Sequence, residues 1–202
     1  MYTPSAFAEN RPEELLAIMQ AASLPILVSP TASGLIATHM PLHAVSPERI
    51  IGHVARANTH WRDALPNAES LAIFAAADGY VSPSWYPSKA ETGKVVPTWN
   101  YQAVHATGTL EIIEDPAALL AIVTALTERH EAGRAKPWAV SDAPGDYIAA
   151  QLKGIVGIVL HVTRLEGKVK LSQNKSMADR TGAIEGAAQE NPALAEAMRK
   201  TL

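Results

Sequence analysis

Apolar positions along this chain follow two periods, and the switches between them outline its elements. Leu15, Ile18, Met19 and Ala22 recur at helical spacing. Asn10 and Glu13 read as a capping box ahead of them, with Pro12 in the tolerant first turn. Pro25 closes that helix. A second stripe, Leu119, Ile122, Val123 and Leu126, follows Asp115 as N-cap and Pro116 as first residue, with Gly133 past its end. Ala143 to Leu152 reads as a shorter helix. After Asn174 the pattern is helical again, broken near Asn191-Pro192, and a last helix runs to Leu202.

Between these lie segments of period two. Ile26 to Ser29 is a short buried strand, Thr31-Ala32-Ser33-Gly34 a turn, and Leu35 to Val45 the partner strand. On that strand Ala37, His39 and His43 share one side and Thr38, Met40 and Leu42 the other. Pro41 marks an edge or a bulge. Ile50 to Val54 is a strand, residues 55–64 (ARANTHWRDA) a polar turn or short helix, and Leu71 to Ala77 a central strand apolar on both faces. Trp99 to Ile113 is the longest strand. Ile155 to Leu165 is another, and Glu166-Gly167 turns into Lys168 to Leu171. About seven strands joined mostly by short turns give a mainly β class with flanking α-helices, an antiparallel sheet or barrel.

The bulk composition narrows the function classes. The 202 residues fit one domain with at most a small appendage. Net charge is −3 and the pI about 6.2, so the basic excess common in nucleic-acid-binding domains is absent. There is no cysteine, which excludes disulfides, zinc–thiolate sites and thiol nucleophiles. No signal peptide is recognisable, and no apolar run approaches the roughly 20 residues of a membrane helix. A cytoplasmic protein with no membrane partner is expected.

The aromatic residues are concentrated. Tyr80 to Gly108 holds two of the four tryptophans, Trp85 and Trp99, and three of the five tyrosines, Tyr80, Tyr86 and Tyr101, in a chain that is 5% aromatic. A proline-broken loop of rings feeding a strand suits a wall for a flat ligand. It equally suits a satellite aromatic core under a long loop.

The polar residues point to binding more than to catalysis. His39 and His43 are four apart on a strand, about 13 Å between Cα atoms, too far for joint chelation, so no metal site is expected. Ser82 and Ser84 lack a nucleophile elbow, and no catalytic residue is assigned. Neither a P-loop nor a GxGxxG is present. A phosphate has two candidate sets, His53, Asn58, His60 and Arg62, or Lys170, Lys175 and Arg180 in KVKLSQNKSMADR. The second set reads as well as a solvated hairpin and helix start. No helix-turn-helix pairing is evident.

Five stretches carry a resemblance: MYTPSAF at the start, IATHMPLH at 36–43, GHVARANTHW at 52–61, YVSPSWY at 80–86 with VPTWNYQAVHATG at 96–108, and KLSQNKS at 170–176. In this order and spacing, over Met1 to about Arg180, the chain resembles the PaiB family of FMN-binding negative transcriptional regulators. That family is similar to the flavin reductase and pyridoxamine-phosphate oxidase group. The resemblance implies a six-stranded antiparallel split β-barrel with helices outside, spanning residues 1–180. A C-terminal helical tail, residues 181–202, would pack on the same domain. It also implies a homodimer with FMN at the subunit interface.

The resemblance implies site residues too. The turn that holds the FMN phosphate in the wider group corresponds to His53 through Arg62. The group's Ser and Lys are absent there, leaving Asn58, His60 or Arg62 to substitute; position 59 is Thr where Pro is expected. Gln102 and His105 match a later strand, His105 standing where the group has Arg. Trp85, Tyr86, Trp99 or Tyr101 would stack on the ring. Thr38 and His39 of IATHMPLH, Asn100, and Lys170, Gln173 and Lys175 of KLSQNKS complete the candidate set. The implied function is a repressor sensing ligand or redox state, acting on DNA directly or through a partner regulator. A flavin-dependent oxidoreductase is the alternative, and a ligand-free dimeric scaffold a second one.

Overall fold

The computed structural model describes residues 1–202. Its strands are β1 (Ala8–Glu9), β2 (Ile26–Thr31), β3 (Gly34–His39), β4 (Leu42–Ser46), β5 (Arg49–Ala55), β6 (Glu69–Val81), β7 (Thr98–Ile113) and β8 (Ile155–Lys170). Its helices are α1 (Pro12–Ala21), α2 (His60–Asp63), α3 (Ser88–Thr92), α4 (Pro116–Glu131), α5 (Gly145–Leu152), α6 (Met177–Glu190) and α7 (Pro192–Arg199). The eight-stranded sheet runs β3-β2-β6-β7-β8-β5-β4, with β1 pairing to β8. The fold class is the expected one, a mainly antiparallel β-sheet with flanking helices, but with eight strands where six were expected. Two compact units divide the chain, and β6, β7 and β8 each give one part to each.

One unit comprises Ser23–Phe74 and His105–Leu165. β2 and β3 form a hairpin in which Thr31 pairs with Gly34, whose φ of 133° is open to glycine at little cost. The strand expected over 35–45 breaks at Met40-Pro41. Pro41 has no N–H for a ladder, and Met40 instead donates to the Pro25 carbonyl at 3.1 Å. His39 therefore ends β3, while His43 belongs to β4, and the expected shared face does not run through the break. Leu27, Ala72, Phe74, Ile50, Ile158 and Leu160 are fully buried, each large side chain contributing ~1.5–3 kcal/mol. α4 lays Ile122 and Leu126 on Ile51 of β5 and Val159 of β8. A Cβ at Gly157 would lie 2.9 Å from Ile122 Cδ1, which shows how closely helix and strand approach. Asp115 caps α4 as expected, its Oδ2 accepting from the Ala118 N–H at 2.8 Å.

The other unit comprises Met1–Ala22, Ala75–Val104 and Glu166–Leu202. α1 starts at Pro12, with Arg11 and not Asn10 in the cap position, and the Asn10–Glu13 box does not form. The Glu9 carboxylate takes the Asn10 and Arg11 N–H groups instead, at 3.0 and 2.9 Å. The turn expected at Glu166-Gly167 is also absent, because β8 runs straight through it and pairs Gly167 with Glu9 of β1. A Cβ at Gly167 would come within 2.1 Å of Leu15 Cδ2, so the glycine permits a close approach of α1. β6 likewise extends to Val81, beyond the expected loop boundary. α6 and α7 bury Ala183, Ile184, Ala187, Leu194 and Met198 with Val81, Tyr86 and Leu171. Asn191 joins the two helices. Its Oδ1 accepts from the Leu194 N–H at 3.1 Å, and its Nδ2 donates to the Asp78 carbonyl at 2.7 Å.

Candidate cofactor site

The first residues of β7 and the last of β8 place rings and cations together in the unit holding both termini. Trp99 is 58% exposed and Tyr80 47%, and the two rings meet edge to face with centroids 6.2 Å apart. Beside Trp99, the Lys170 ammonium donates to Thr98 Oγ1 at 2.5 Å and to the Trp99 carbonyl at 2.6 Å. Lys168 lies two residues earlier, hence on the same face of β8. Its Nζ donates to the Tyr2 carbonyl at 3.1 Å and stands 5.0 Å from the Tyr101 ring centroid. Lys175 Nζ stands 5.3 Å from the Tyr86 ring centroid. Burial pushes the Lys170 pKa down; Lys168 and Lys175 push the same way, while Tyr101 opposes them.

Two more polar side chains belong to this corner. Asn100 is fully buried; its Nδ2 donates to Ser172 Oγ at 2.9 Å, and its Oδ1 has no hydrogen-bond partner. Gln102 is half-buried on β7. Gln173 is spent on the chain itself: its Oε1 accepts from the Leu171 N–H at 2.6 Å and its Nε2 donates to the Val169 carbonyl at 2.7 Å. That clamp, with Ser172 at φ 68°, fixes the exit of β8 and the positions of Lys170 and Lys175 on either side of it. Trp85 packs away from the exposed rings. A Cβ at Gly186 would fall 2.3 Å from its indole, and one at Gly182 would fall 2.2 Å from its carbonyl oxygen. The two glycines, four apart on α6, form a flat bed for Trp85, beside a cavity of about 640 Å³ bordered by Ser84, Lys89, Glu185 and Gln189. Arg180 donates to the Thr201 carbonyl and so holds the C-terminal turn.

The remaining expected residues lie in the other unit, where several serve the fold. His60 is fully buried. Its Nδ1 meets Thr38 Oγ1 at 2.8 Å and its Nε2 meets Ser29 Oγ at 2.8 Å, while Ser29 meets Ser70 at 2.7 Å. Asn58 Oδ1 accepts from the His60 N–H at 2.9 Å, and its Nδ2 reaches Thr38 Oγ1 at 3.4 Å. This chain pins the 55–64 turn against β2 and β3. Burial lowers the His60 pKa against the opposing pull of Asp63, so the ring is neutral. Arg62 lies over the Trp61 ring, 4.9 Å from its centroid, and donates to the Arg56 carbonyl at 3.3 Å. His53 Nδ1 is buried without a partner, and burial lowers its pKa. His39 is exposed at the end of β3, and His105 is half-buried in β7.

Lys168 was missed by the sequence reading. Its alternation with Lys170 was a usable signal, but the expected turn at Glu166-Gly167 placed it in a solvated hairpin. Tyr80 was recognised within the aromatic stretch but not as the partner of Trp99.

A family model described as "Putative FMN-binding domain" matches residues 1–164. The chain belongs to this family. Among curated relatives, the "Protease synthase and sporulation protein PAI 2" of Bacillus subtilis is 33% identical over 196 residues, covering 95% of this chain and 92% of that protein. The PaiB resemblance read from the motifs is thereby shown. An uncharacterized protein of Aspergillus fumigatus is 35% identical over 171 residues, which is 77% of this chain and 65% of that protein. Among solved structures, the flavocytochrome Anf3 of Azotobacter vinelandii superposes with a TM-score of 0.59 at 17% identity, covering 81% of this chain and 69% of that one. The FAD and heme binding protein of Mycobacterium smegmatis gives 0.59 at 18% identity, with 81% and 73% covered. These two likenesses show a shared fold.

FMN is the cofactor that the family model assigns to this domain. The residues of the terminal unit fit it chemically. Half-exposed rings suit a flat apolar ring system. The lysines suit an anionic group, whereas Asn100, whose Oδ1 lacks a partner, is fully buried against Ser172 and Met198 on the face of β7 opposite Trp99. No helix is long and apolar enough to cross a membrane.

Proposed function

We propose that this chain is a cytoplasmic, homodimeric FMN-binding protein that acts as a ligand- or redox-responsive regulator of the PaiB type. The observation that carries the cofactor is the half-exposed Tyr80–Trp99 pair beside Lys170, within a chain of this family. In this reading Trp99 and Tyr101, on one face of β7, border the flavin ring, and Asn100, fully buried on the other face, supports the strand through Ser172. Residues 1–180 serve as the FMN-binding domain and 181–202 as its helical tail. Thr38, Asn58 and His60 are left out of the binding set because their polar atoms already satisfy one another. The flavin supplies any redox chemistry, and the protein supplies position and electrostatics.

Regulation through a partner protein is favoured over direct DNA reading. A reading helix needs polar side chains free for base edges, whereas α6 and α7 bury much of their surface on each other and on Tyr86 and Leu171. The decisive experiment is the absorbance spectrum of freshly purified protein and its titration with FMN. Flavin bands or saturable FMN binding are expected, and a colourless protein that ignores added FMN overturns the reading. Gel shifts with genomic fragments at low salt are expected to show no retardation; lysine-rich corners aside, retardation would argue for direct repression.

A second reading, a flavin-dependent oxidoreductase, is favoured by the exposure of Trp99 and Tyr80, which leaves the rings open to a small substrate. FMN-loaded protein that fails to oxidise NAD(P)H under air counts against it.

A further inference from the structure

α4 carries a second stripe that the sheet does not use. Leu119, Ile122 and Leu126 are its buried residues. Leu120, Thr124, Thr127 and Glu128 follow helical spacing on a different face. That face lines a cavity of about 560 Å³, whose other wall is the turn Val140–Asp142 and α5. Leu120, Val140, Ile148 and Leu152 make the lining apolar, and the hydroxyls of Thr124, Thr127 and Ser141 interrupt it. The chain does not fill this space itself: α5 buries no residue, and Leu120 is 39% exposed. Ala139, Ala143, Gly145 and Ala149 line the same wall, and their side chains are too short to close the gap to α4.

The wall is held in place without an occupant. Glu131, near the end of α4, accepts from the Trp138 N–H at 3.0 Å and pairs with Arg134 at 2.9 Å, which folds the following loop back along the helix. Asp142 accepts from the Ala139 N–H and Asp146 from the Tyr147 N–H, both at 2.9 Å. Pro137 and Pro144 fix φ on either side of the turn. These bonds commit the carboxylates between Pro116 and Leu152, except one. Glu128 lines the cavity, and its carboxylate has no hydrogen bond or ion pair within the chain. No lysine, arginine or histidine lines the cavity with it.

We infer that this cavity binds a small apolar amine, its ammonium on the Glu128 carboxylate and its hydrocarbon part between Leu120, Ile148 and Leu152. The volume falls within the roughly 300–1,000 Å³ of small-molecule sites, as does the pattern of an apolar lining with a few polar groups. An ammonium has up to three protons to donate. Glu128 and the hydroxyls of Thr124 and Thr127 stand on the same face of α4 to accept them. A carboxylate or phosphate ligand would meet the repulsion of Glu128. A ligand with no polar group would cover that charge and leave it unpaired. The cavity lies in the unit that does not hold the Tyr80–Trp99 pair, and the amine site does not rest on the FMN reading.

The test titrates three matched probes, phenylbutylamine, phenylbutanol and phenylpentanoate, into the full chain by calorimetry. They share a ring and a chain and differ in charge. The proteins are wild type, Glu128→Gln and Ala149→Phe, with the unliganded thermal midpoint of each as the folding control. Wild type is expected to bind the amine about three- to tenfold more tightly than the alcohol, as a charge-assisted contact at a partly exposed carboxylate allows. The carboxylate probe should bind more weakly than either. Glu128→Gln should bring the amine down to the level of the alcohol and leave the alcohol unchanged. Ala149→Phe, which puts a ring into the cavity, should weaken both by about tenfold or more. The site is overturned if wild type binds none of the probes or all three alike, or if amine binding survives both substitutions. Sedimentation of the same samples covers the other occupant. Self-association of wild type that Ala149→Phe abolishes, together with no amine binding, would make the cavity a contact between copies of the chain and overturn the amine site.

Discussion

The ammonium of Lys168 stands 5.0 Å from the ring centroid of Tyr101 in a place where Lys168 is only 7% exposed. A buried cation with one carbonyl and two ring faces as partners is held by the quadrupoles of those rings. Lys168→Met should keep the packing of the stem and lose the charge, and a double-mutant cycle with Tyr101→Leu should give a coupling of ~0.5–2 kcal/mol. Urea midpoints of the four proteins measure it. Strictly additive effects would mean that Tyr101 contributes only its area.

Trp85 depends on glycine beneath it. Gly186→Ala puts a Cβ 2.3 Å from the indole, so the ring or the helix must shift. The expected destabilisation is ~1–3 kcal/mol, accompanied by a change in tryptophan emission. A melting temperature equal to that of wild type would show that α6 and Trp85 can separate freely.

Trp99 is expected to behave in the opposite way. With more than half of its surface exposed, Trp99→Ala should change stability by no more than about 0.5 kcal/mol. It should nevertheless weaken FMN binding, by roughly three- to tenfold if an aromatic contact of ~0.5–1.5 kcal/mol is lost. An unchanged dissociation constant would remove Trp99 from the proposed ring contacts.

The buried histidines predict a pH dependence. Burial lowers the pKa of His60 and of His53, and burial together with Arg129 and His130 lowers that of His43. A histidine depressed in the native state binds more protons when unfolded. Its contribution to stability is therefore complete above the unfolded value of about 6.5 and is lost as pH falls from there through the lowered native value. Urea midpoints should hold steady from about pH 8 to about pH 7 and drop below about pH 6.5. His60→Gln should flatten part of that drop, at the cost of a lower midpoint at neutral pH because Thr38 and Ser29 lose a partner. A wild-type midpoint that does not fall on acidification would contradict the neutral, buried state of these rings.

The candidate site was legible in the sequence as a set of residue types and much less as an arrangement. Concentration of rings in 80–108 and of lysines in 168–175 is visible in one dimension. What each side chain does with its polar atoms is not. His60 and Asn58 looked like ligands for a phosphate and proved to be the hydrogen-bonded support of a turn. Gln173 was one of the candidate cofactor residues of KLSQNKS and clamps its own backbone.

By itself the sequence determined the features set within a few residues. The α4 stripe and its Asp115 cap are local, as are the β2–β3 turn at Gly34 and the break between α6 and α7 at Asn191-Pro192. Each follows from helix or strand period and from the backbone limits of proline and glycine. Only the tertiary structure decided what depends on distant partners. Gly167 is a turn former in isolation, yet it lies inside β8 because β1 and Leu15 approach it. Lys168 is a surface lysine in isolation, yet it is buried because Tyr2, 166 residues away in sequence, covers it with its ring and accepts from its ammonium through the backbone carbonyl. The physical reason is that burial and hydrogen-bond satisfaction are settled by neighbours in space. Local spacing carries no record of which neighbours those will be.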